Sequence, residues 1–249
     1  MIASVARRVA ARGTAATLAS ARRLCTSAGA ADFSEAIEAL EVGKLPHAIS
    51  LFAKAGEVGH PDANFYLGLA YDGLIGTDAG GDHPIELDAA AAVRCYRRAA
   101  EGGHAEAMLN LAMSLRNGEG VEAPDVAEAF TWLTNSAEAG SDRGQFNAAV
   151  ALDPLHPPYG TPGDVDPAKA MIPKDAKAAV SLYKQAVEQG HGKAMVNYGI
   201  CLYTGTGCTK DVAAAKELWL EASDLGVEQA NFCLKNMEDS PGKFENIIE

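Results

Sequence analysis

The sequence predicts an all-α protein, a solenoid of about five antiparallel helix pairs, on three observations. Aromatic residues make up only 6% of the chain while alanine recurs in clusters, and runs with period-two alternation are scarce, which suits closely packed helices rather than sheets. A dipeptide that opens with glycine recurs as Gly59-His60, Gly103-His104, Gly140-Ser141, Gly190-His191 and Gly226-Val227. The fifteenth residue upstream of the glycine is Asp88, Asp125, Asp175 or Asp211 in the last four copies and Lys44 in the first. Self-similarity at 36 to 50 residues marks a repeat array, whose helix pairs bury their apolar faces only by stacking.

The chain opens on a segment of a different kind. Residues 1–31 carry Arg7, Arg8, Arg12, Arg22 and Arg23 but no lysine, aspartate or glutamate, and Asp32 is the first acid. At about 100° per residue, Ile2, Val5 and Val9 share one side of a helix with Arg7 opposite. Such an Arg-rich, acid-free amphipathic stretch predicts a mitochondrial transit peptide over 1–31, with a processing site near Arg23-Leu24-Cys25-Thr26-Ser27 and the matrix as destination. A chloroplast is the alternative address. Arginines and small polar residues break every apolar run there, and no later run reaches the length of a membrane span. Net charge is -12, so outside this segment no basic field exists for a phosphate backbone, and nucleic acid is not an expected partner.

Each aspartate-to-glycine unit reads as one capped helix, helix B. The aspartate accepts free N–H groups of the first turn, and the glycine supplies a left-handed C-terminal turn. Four residues after the start stand Ala48, Ala92, Ala129, Ala179 and Ala215; eight after it, Phe52, Tyr96, Leu133, Tyr183 and Trp219; eleven after it, Ala55, Ala99, Ser136, Ala186 and Ala222. This small-large-small stripe at helical spacing predicts a core around one bulky anchor per repeat. Glu57, Glu101, Glu138, Glu188 and Asp224 lie two before each turn glycine, where the helix dipole disfavours them. They are expected to reach across the turn to the free N–H groups of the next helix, a solvated acid being the other reading.

The next helix, helix A, carries Ala63, Ala107, Gly144, Ala194 and Ala230 four after the glycine, and Leu67, Leu111, Ala148, Tyr198 and Leu234 eight after it. It runs into glycine loops such as Asn117-Gly118-Glu119-Gly120-Val121 and Thr204-Gly205-Thr206-Gly207-Cys208. The combined pattern, A-x-x-x-L-G/A, then G-x-G-V/C, then D-x-x-x-A-x-x-W/L-Y/L-x-x-A-A/S-E-x-G-H, resembles the Sel1-like repeat family. The resemblance implies a right-handed α/α solenoid over 32–238 that works as an adaptor or assembly scaffold, followed by a tail at 239–249. The stretch from Gly140 to Gly190 departs most, with Asp153-Pro154 in place of the glycine loop.

Two insertions, 77–87 and 154–174, fall on the same A-to-B connection; the longer holds six prolines, which stiffen it. Both are open to reading as binding loops or as inert surface insertions. Among the five cysteines there is no C-x-x-C; Cys95 takes an apolar helix B position, and Cys201 and Cys208 are read as free thiols, a disulfide being the alternative. His60, His104 and His191 are explained by the repeat rather than by a metal, His83 among Asp78, Asp82 and Glu86 reads as a solvated acidic loop, and His47 and His156 have no partner in the pattern. No cofactor motif and no assignable catalytic set is present.

The expected function is therefore a mitochondrial scaffold, an assembly factor or accessory subunit of a larger complex, and not an enzyme. Positions three and seven after the turn glycine of helix A form its polar stripe: Asp62, Tyr66, Glu106, Asn110, Arg143, Asn147, Lys193 and Asn197. These residues are the expected contacts with partner proteins if helix A lines the inner curve; alternatively, Asn110, Asn147 and Asn197 bond to backbone between repeats and only the charged members face a partner. The other functional class is a thiol-dependent or redox enzyme, motivated by relatives with cysteine-bearing repeats. It requires a reactive cysteine in an electropositive pocket.

Overall fold

The computed structural model describes residues 29–75, 85–156 and 172–239, and all regular structure among them is helical. Eleven helices are described: α1 (Ala30–Glu41), α2 (Leu45–Glu57), α3 (Pro61–Tyr71), α4 (Ala89–Glu101), α5 (Ala105–Asn117), α6 (Val126–Glu138), α7 (Asp142–Leu152), α8 (Ala176–Glu188), α9 (Gly192–Thr204), α10 (Val212–Asp224) and α11 (Glu228–Asp239). Most of the segment expected to be a transit peptide, most of both insertions including His83, and residues 240–249 of the tail lie outside the described residues. Helix α1 opens at Ala30, so the folded array starts two residues ahead of the border expected at Asp32. Gly29 makes this start, with φ +85 and too little room for a Cβ against Val58 and Ala55.

The chain forms two compact units, Met1–Pro124 and Asp125–Glu249. In the first, each helix from α1 to α5 packs on the next; in the second, α6 to α11 do the same, and α9 also touches α11. Helices α2, α4, α6, α8 and α10 are the five B helices, and α3, α5, α7, α9 and α11 are the A helices that follow them.

The caps fall where the spacing puts them. Side chains of Asp88, Asp125, Asp175 and Asp211 accept N–H bonds from Ala91, Glu128, Ala178 and Ala214 at 2.8 to 3.0 Å. The turn glycines Gly59, Gly103, Gly140, Gly190 and Gly226 are left-handed, φ +80 to +89, so a β-carbon at these points would strain the backbone. The five alanines at position four and the anchors Phe52, Tyr96, Leu133, Tyr183 and Trp219 all have 0% exposure. Burial of an anchor of this size contributes about 1.5–3 kcal/mol. Helix A makes room for the largest of them with glycine, since a Cβ on Gly68 would clash with the Tyr96 ring and one on Gly199 with the Trp219 indole.

The acids two before the turn do not cap the next helix. Glu57, Glu101, Glu138, Glu188 and Asp224 are exposed. The residue after the glycine does the capping: His60, His104 and His191 accept through Nδ1 from Ala63, Ala107 and Ala194 N–H at 3.4, 3.1 and 3.1 Å, and Ser141 accepts through Oγ from Gly144 N–H at 3.0 Å. A side chain in the N-cap slot itself points at the free N–H groups. The acids sit at the end of the preceding helix and solvate instead.

Candidate functional site

The polar stripe of helix A is the candidate protein-binding site, and its two rows differ in what they touch. The inner row, seven after the glycine, meets the helix B anchor. Tyr96 hydroxyl donates to Asp72 Oδ2 at 2.6 Å and receives a bond from Asn110. Tyr183 hydroxyl donates to Asp153 Oδ2 at 3.0 Å and accepts from Asn197 Nδ2 at 3.2 Å. The acid is thirteen after its turn glycine in both cases. Burial, then the partner carboxylate, pushes both tyrosine hydroxyls far up, so each stays a neutral donor. Where the anchor is Leu133 it has no hydroxyl, and Asn147 donates to its own helix at the Arg143 carbonyl, 2.8 Å. Beside the anchor Phe52 the same slot holds Tyr66, stacked on it at 4.9 Å and 9°.

In the outer row, Arg143 and Lys193 are exposed while Asp62 and Glu106 are half-buried. Asp62 Oδ1 lies 3.5 Å from His104 Nε2. With Nδ1 of that ring accepting an N–H, the proton of the neutral imidazole sits on Nε2 and faces the carboxylate. Phenylalanines cover the turn rings: Phe33 stacks on His60 at 4.5 Å, Phe65 on His104 at 4.2 Å and Phe146 on His191 at 4.7 Å. Burial lowers all three imidazole pKa values, and the neighbouring acids only partly offset it.

His156, without a partner in the sequence pattern, belongs to a buried cluster. Its Nδ1 lies 3.1 Å from Asp153 Oδ2, and its Nε2 lies 3.3 Å from Asn197 Nδ2. Asp153 also accepts from Leu155 N–H at 2.9 Å. Burial raises its carboxyl, but His156, Leu155 and Tyr183 together outweigh burial and hold it below the usual range. Asp153 opens the stretch that lacks the glycine loop and so looks like part of a lapse of the repeat; only the matching Asp72 and the tyrosines eight into α4 and α8 could have marked both as one device. His47 reaches Glu35 at 3.4 Å on the surface.

Cys95, Cys201, Cys208 and Cys233 are free thiols, and Cys95 and Cys201 are buried. Burial raises all four, Cys233 to about 12, with Asp153 raising Cys201 further. None of them meets the requirement for a reactive thiolate. Among the described residues no group of three or more metal-ligating side chains is assembled, and no helix is long and apolar enough to cross a membrane.

The Sel1 repeat family matches residues 61–104, 105–141, 159–191 and 192–227. The chain belongs to the Sel1 repeat family. Among solved structures it is similar to a Sel1 repeat protein from Oxalobacter formigenes, with 25% identity, a TM-score of 0.67, and coverage of 88% of this chain and 80% of that one. It is also similar to c5321, a protective antigen of uropathogenic Escherichia coli with an SLR fold, at 18% identity and a TM-score of 0.69. The alignment covers 88% of this chain but spans only 43% of that antigen. No curated protein matches the sequence. Sel1 repeat proteins are generally protein-interaction scaffolds, and the α/α solenoid described above is the fold of that family.

Proposed function

We propose that this Sel1 repeat chain is a mitochondrial scaffold, an assembly factor or accessory subunit that holds other proteins through the helix A stripe. The observation that carries the reading is the division of the stripe: Asn110 and Asn197 are committed to the anchors of the core, while Arg143 and Lys193 stand exposed on the A helices α7 and α9 of one unit. Side chains serving the core hold the helices in register, and the exposed cations are the members a partner meets. In a chain of net charge -12 they favour an acidic partner segment. The acid-free, five-arginine segment at 1–31 supports the mitochondrial address. The raised thiols speak against the thiol-enzyme alternative.

Affinity purification from intact mitochondria followed by native sizing tests this. A stable large complex is expected, weakened when Arg143 and Lys193 are both changed to glutamate. A lone monomer, or a cytosolic protein, overturns the reading.

A further inference from the structure

The two clusters built from aspartate, tyrosine and asparagine differ in one neighbour. Sixteen residues after the turn glycine, the chain of Asp72 and Tyr96 has Ile75 and the chain of Asp153 and Tyr183 has His156. The histidine closes the second cluster into a ring. Asn197 Nδ2 donates to the Tyr183 hydroxyl at 3.2 Å and lies 3.3 Å from His156 Nε2. The Tyr183 hydroxyl and His156 Nδ1 both reach Asp153 Oδ2, at 3.0 and 3.1 Å. An amide nitrogen only donates, so Nε2 must accept, and the neutral imidazole carries its proton on Nδ1, facing the carboxylate. Every bond in the ring therefore runs one way, from Asn197 towards Asp153. Among the described residues, Asn197 Oδ1 has no hydrogen-bond partner. The His156 side chain is 16% exposed against 2% for Asp153, so solvent meets the ring at the imidazole.

A second proton on the imidazole reverses that order. Nε2–H would point at Nδ2, donor against donor, while the Asp153 carboxylate favours the imidazolium beside it. The amide resolves the conflict by turning about its terminal torsion, a two-fold rotation, which presents Oδ1 to Nε2–H and to the Tyr183 hydroxyl. That hydroxyl then donates to Oδ1, and Asp153 keeps its bonds from His156 and from Leu155 N–H. Two other titratable groups face the ring among the described residues. Lys174, ahead of α8, lies within electrostatic reach of Asp153 and donates to the Ala151 carbonyl at 3.1 Å. Cys201, on α9, has its Sγ 4.0 Å from Asp153 Oδ2, and burial keeps it a neutral thiol. Of these side-chain types only an imidazole ordinarily changes charge between about pH 5 and 8. We propose that His156 makes this cluster a proton-sensitive switch: a proton taken from solvent turns the Asn197 amide and moves the Tyr183 hydroxyl bond from Asp153 to Asn197. The cluster of Asp72, Tyr96 and Asn110, with Ile75 in the corresponding place, has no such second state. The turned amide offers a donor where the neutral state offers an acceptor, at a position of the helix A stripe one turn from Lys193. The inference concerns the chain alone and depends on neither partner nor address.

The test is nuclear magnetic resonance of the full, nitrogen-labelled chain, titrated from about pH 8 to pH 5 with circular dichroism recorded alongside. At the alkaline end, two-bond imidazole correlations should show the His156 proton on Nδ1, and Overhauser contacts should join the Asn197 amide protons to the His156 and Tyr183 rings. On acidification His156 should become an imidazolium, and the contact between the Asn197 amide protons and the His156 ring should be lost through the same midpoint at constant helicity. The Asn110 amide, in the cluster without a histidine, should not follow that midpoint. His156→Ile, which installs the residue of the first cluster, should leave the Asn197 amide unresponsive to pH; the unaltered chain decides the matter even where that variant fails to fold. A proton on Nε2 at the alkaline end overturns the proposal, as does a His156 that stays neutral to the acid end. So do amide contacts that persist through the titration, which reduce the effect to a nearby charge. Helicity lost at the His156 midpoint also overturns it, since the imidazole would then titrate in an unfolded chain.

Discussion

Each turn histidine accepts an N–H bond and stacks on a phenylalanine, and both arrangements favour its neutral form. Burial is the largest cause of the lowered pKa, and the acids nearby, Asp62 and Asp142, act in the opposite direction without reversing it. For a base lowered in the folded state, the unfolded chain takes up protons first, below about 6.5. The stability these groups contribute is therefore complete above that pH and falls as pH drops through and below it. Urea midpoints should decline from pH 7 to pH 5, and decline less when His60, His104 and His191 are all serine, the residue that already caps at Ser141. Anchors set a second group of expectations. Trp219→Ala should cost about 3 kcal/mol or more as a buried large-to-small change. Gly199→Ala, which drives a methyl into the Trp219 ring, should cost about 1–3 kcal/mol by overpacking. Tyr96→Phe should cost about 1–2 kcal/mol, since it removes a 2.6 Å bond and leaves Asp72 without that donor. Unchanged unfolding midpoints in these variants would refute the packing described.

At the scale of the element, helix boundaries were legible because they depend on local chemistry. An aspartate cap and a left-handed glycine act within one turn of chain, so a fixed spacing between them marks both ends of α4, α6, α8 and α10. Helix α1 escapes this pattern: its N-cap is Gly29 with no side-chain bond, yet Phe33 stacks on His60 as Phe65 stacks on His104. The long insertion divides into two parts. Leu155 packs against the core of the second unit and donates its N–H to Asp153, and His156 joins the Asp153 cluster. Replacing residues 157–171 with a short Gly-Ser linker should therefore preserve helicity by circular dichroism, while extending the deletion to 155 should lower the unfolding midpoint. Equal stability of the two deletions would show that Leu155 and His156 contribute nothing to the fold.

At the scale of the whole molecule, address and assembly remain to be joined to this fold. A fusion of residues 1–32 to a fluorescent reporter should enter mitochondria, and changing Arg7, Arg8 and Arg12 to glutamate should abolish import. Cytosolic retention of the unaltered fusion would remove the mitochondrial part of the reading and leave the repeat scaffold intact. Charge supports the same separation: without its five N-terminal arginines the chain has 16 basic residues against 33 acidic. A partner that meets Arg143 and Lys193 does so at a local cationic site on an acidic molecule. Its binding should weaken with added salt, as exposed ion pairs do.

From sequence alone came the repeat, its helix order and the buried stripe of Ala48, Phe52 and Ala55 with their four counterparts, because helical periodicity and capping are short-range rules written at fixed spacing. Tertiary structure alone decided what the polar side chains do. Asp72 and Tyr96 are 24 residues apart and Asp153 and Tyr183 are 30 apart, so no local rule joins them. The expectation that the acids before the turn cap the next helix failed at short range, because the N-cap side chain takes the bond. Charge favours such a bond in principle, but the backbone placed histidine and serine side chains at the N-cap and left the acids in water. The stripe split likewise: Asn110 and Asn197 turned to buried hydroxyls that only packing could put there, while Arg143 and Lys193 stayed at the surface, because a hydroxyl buried in the core needs a partner.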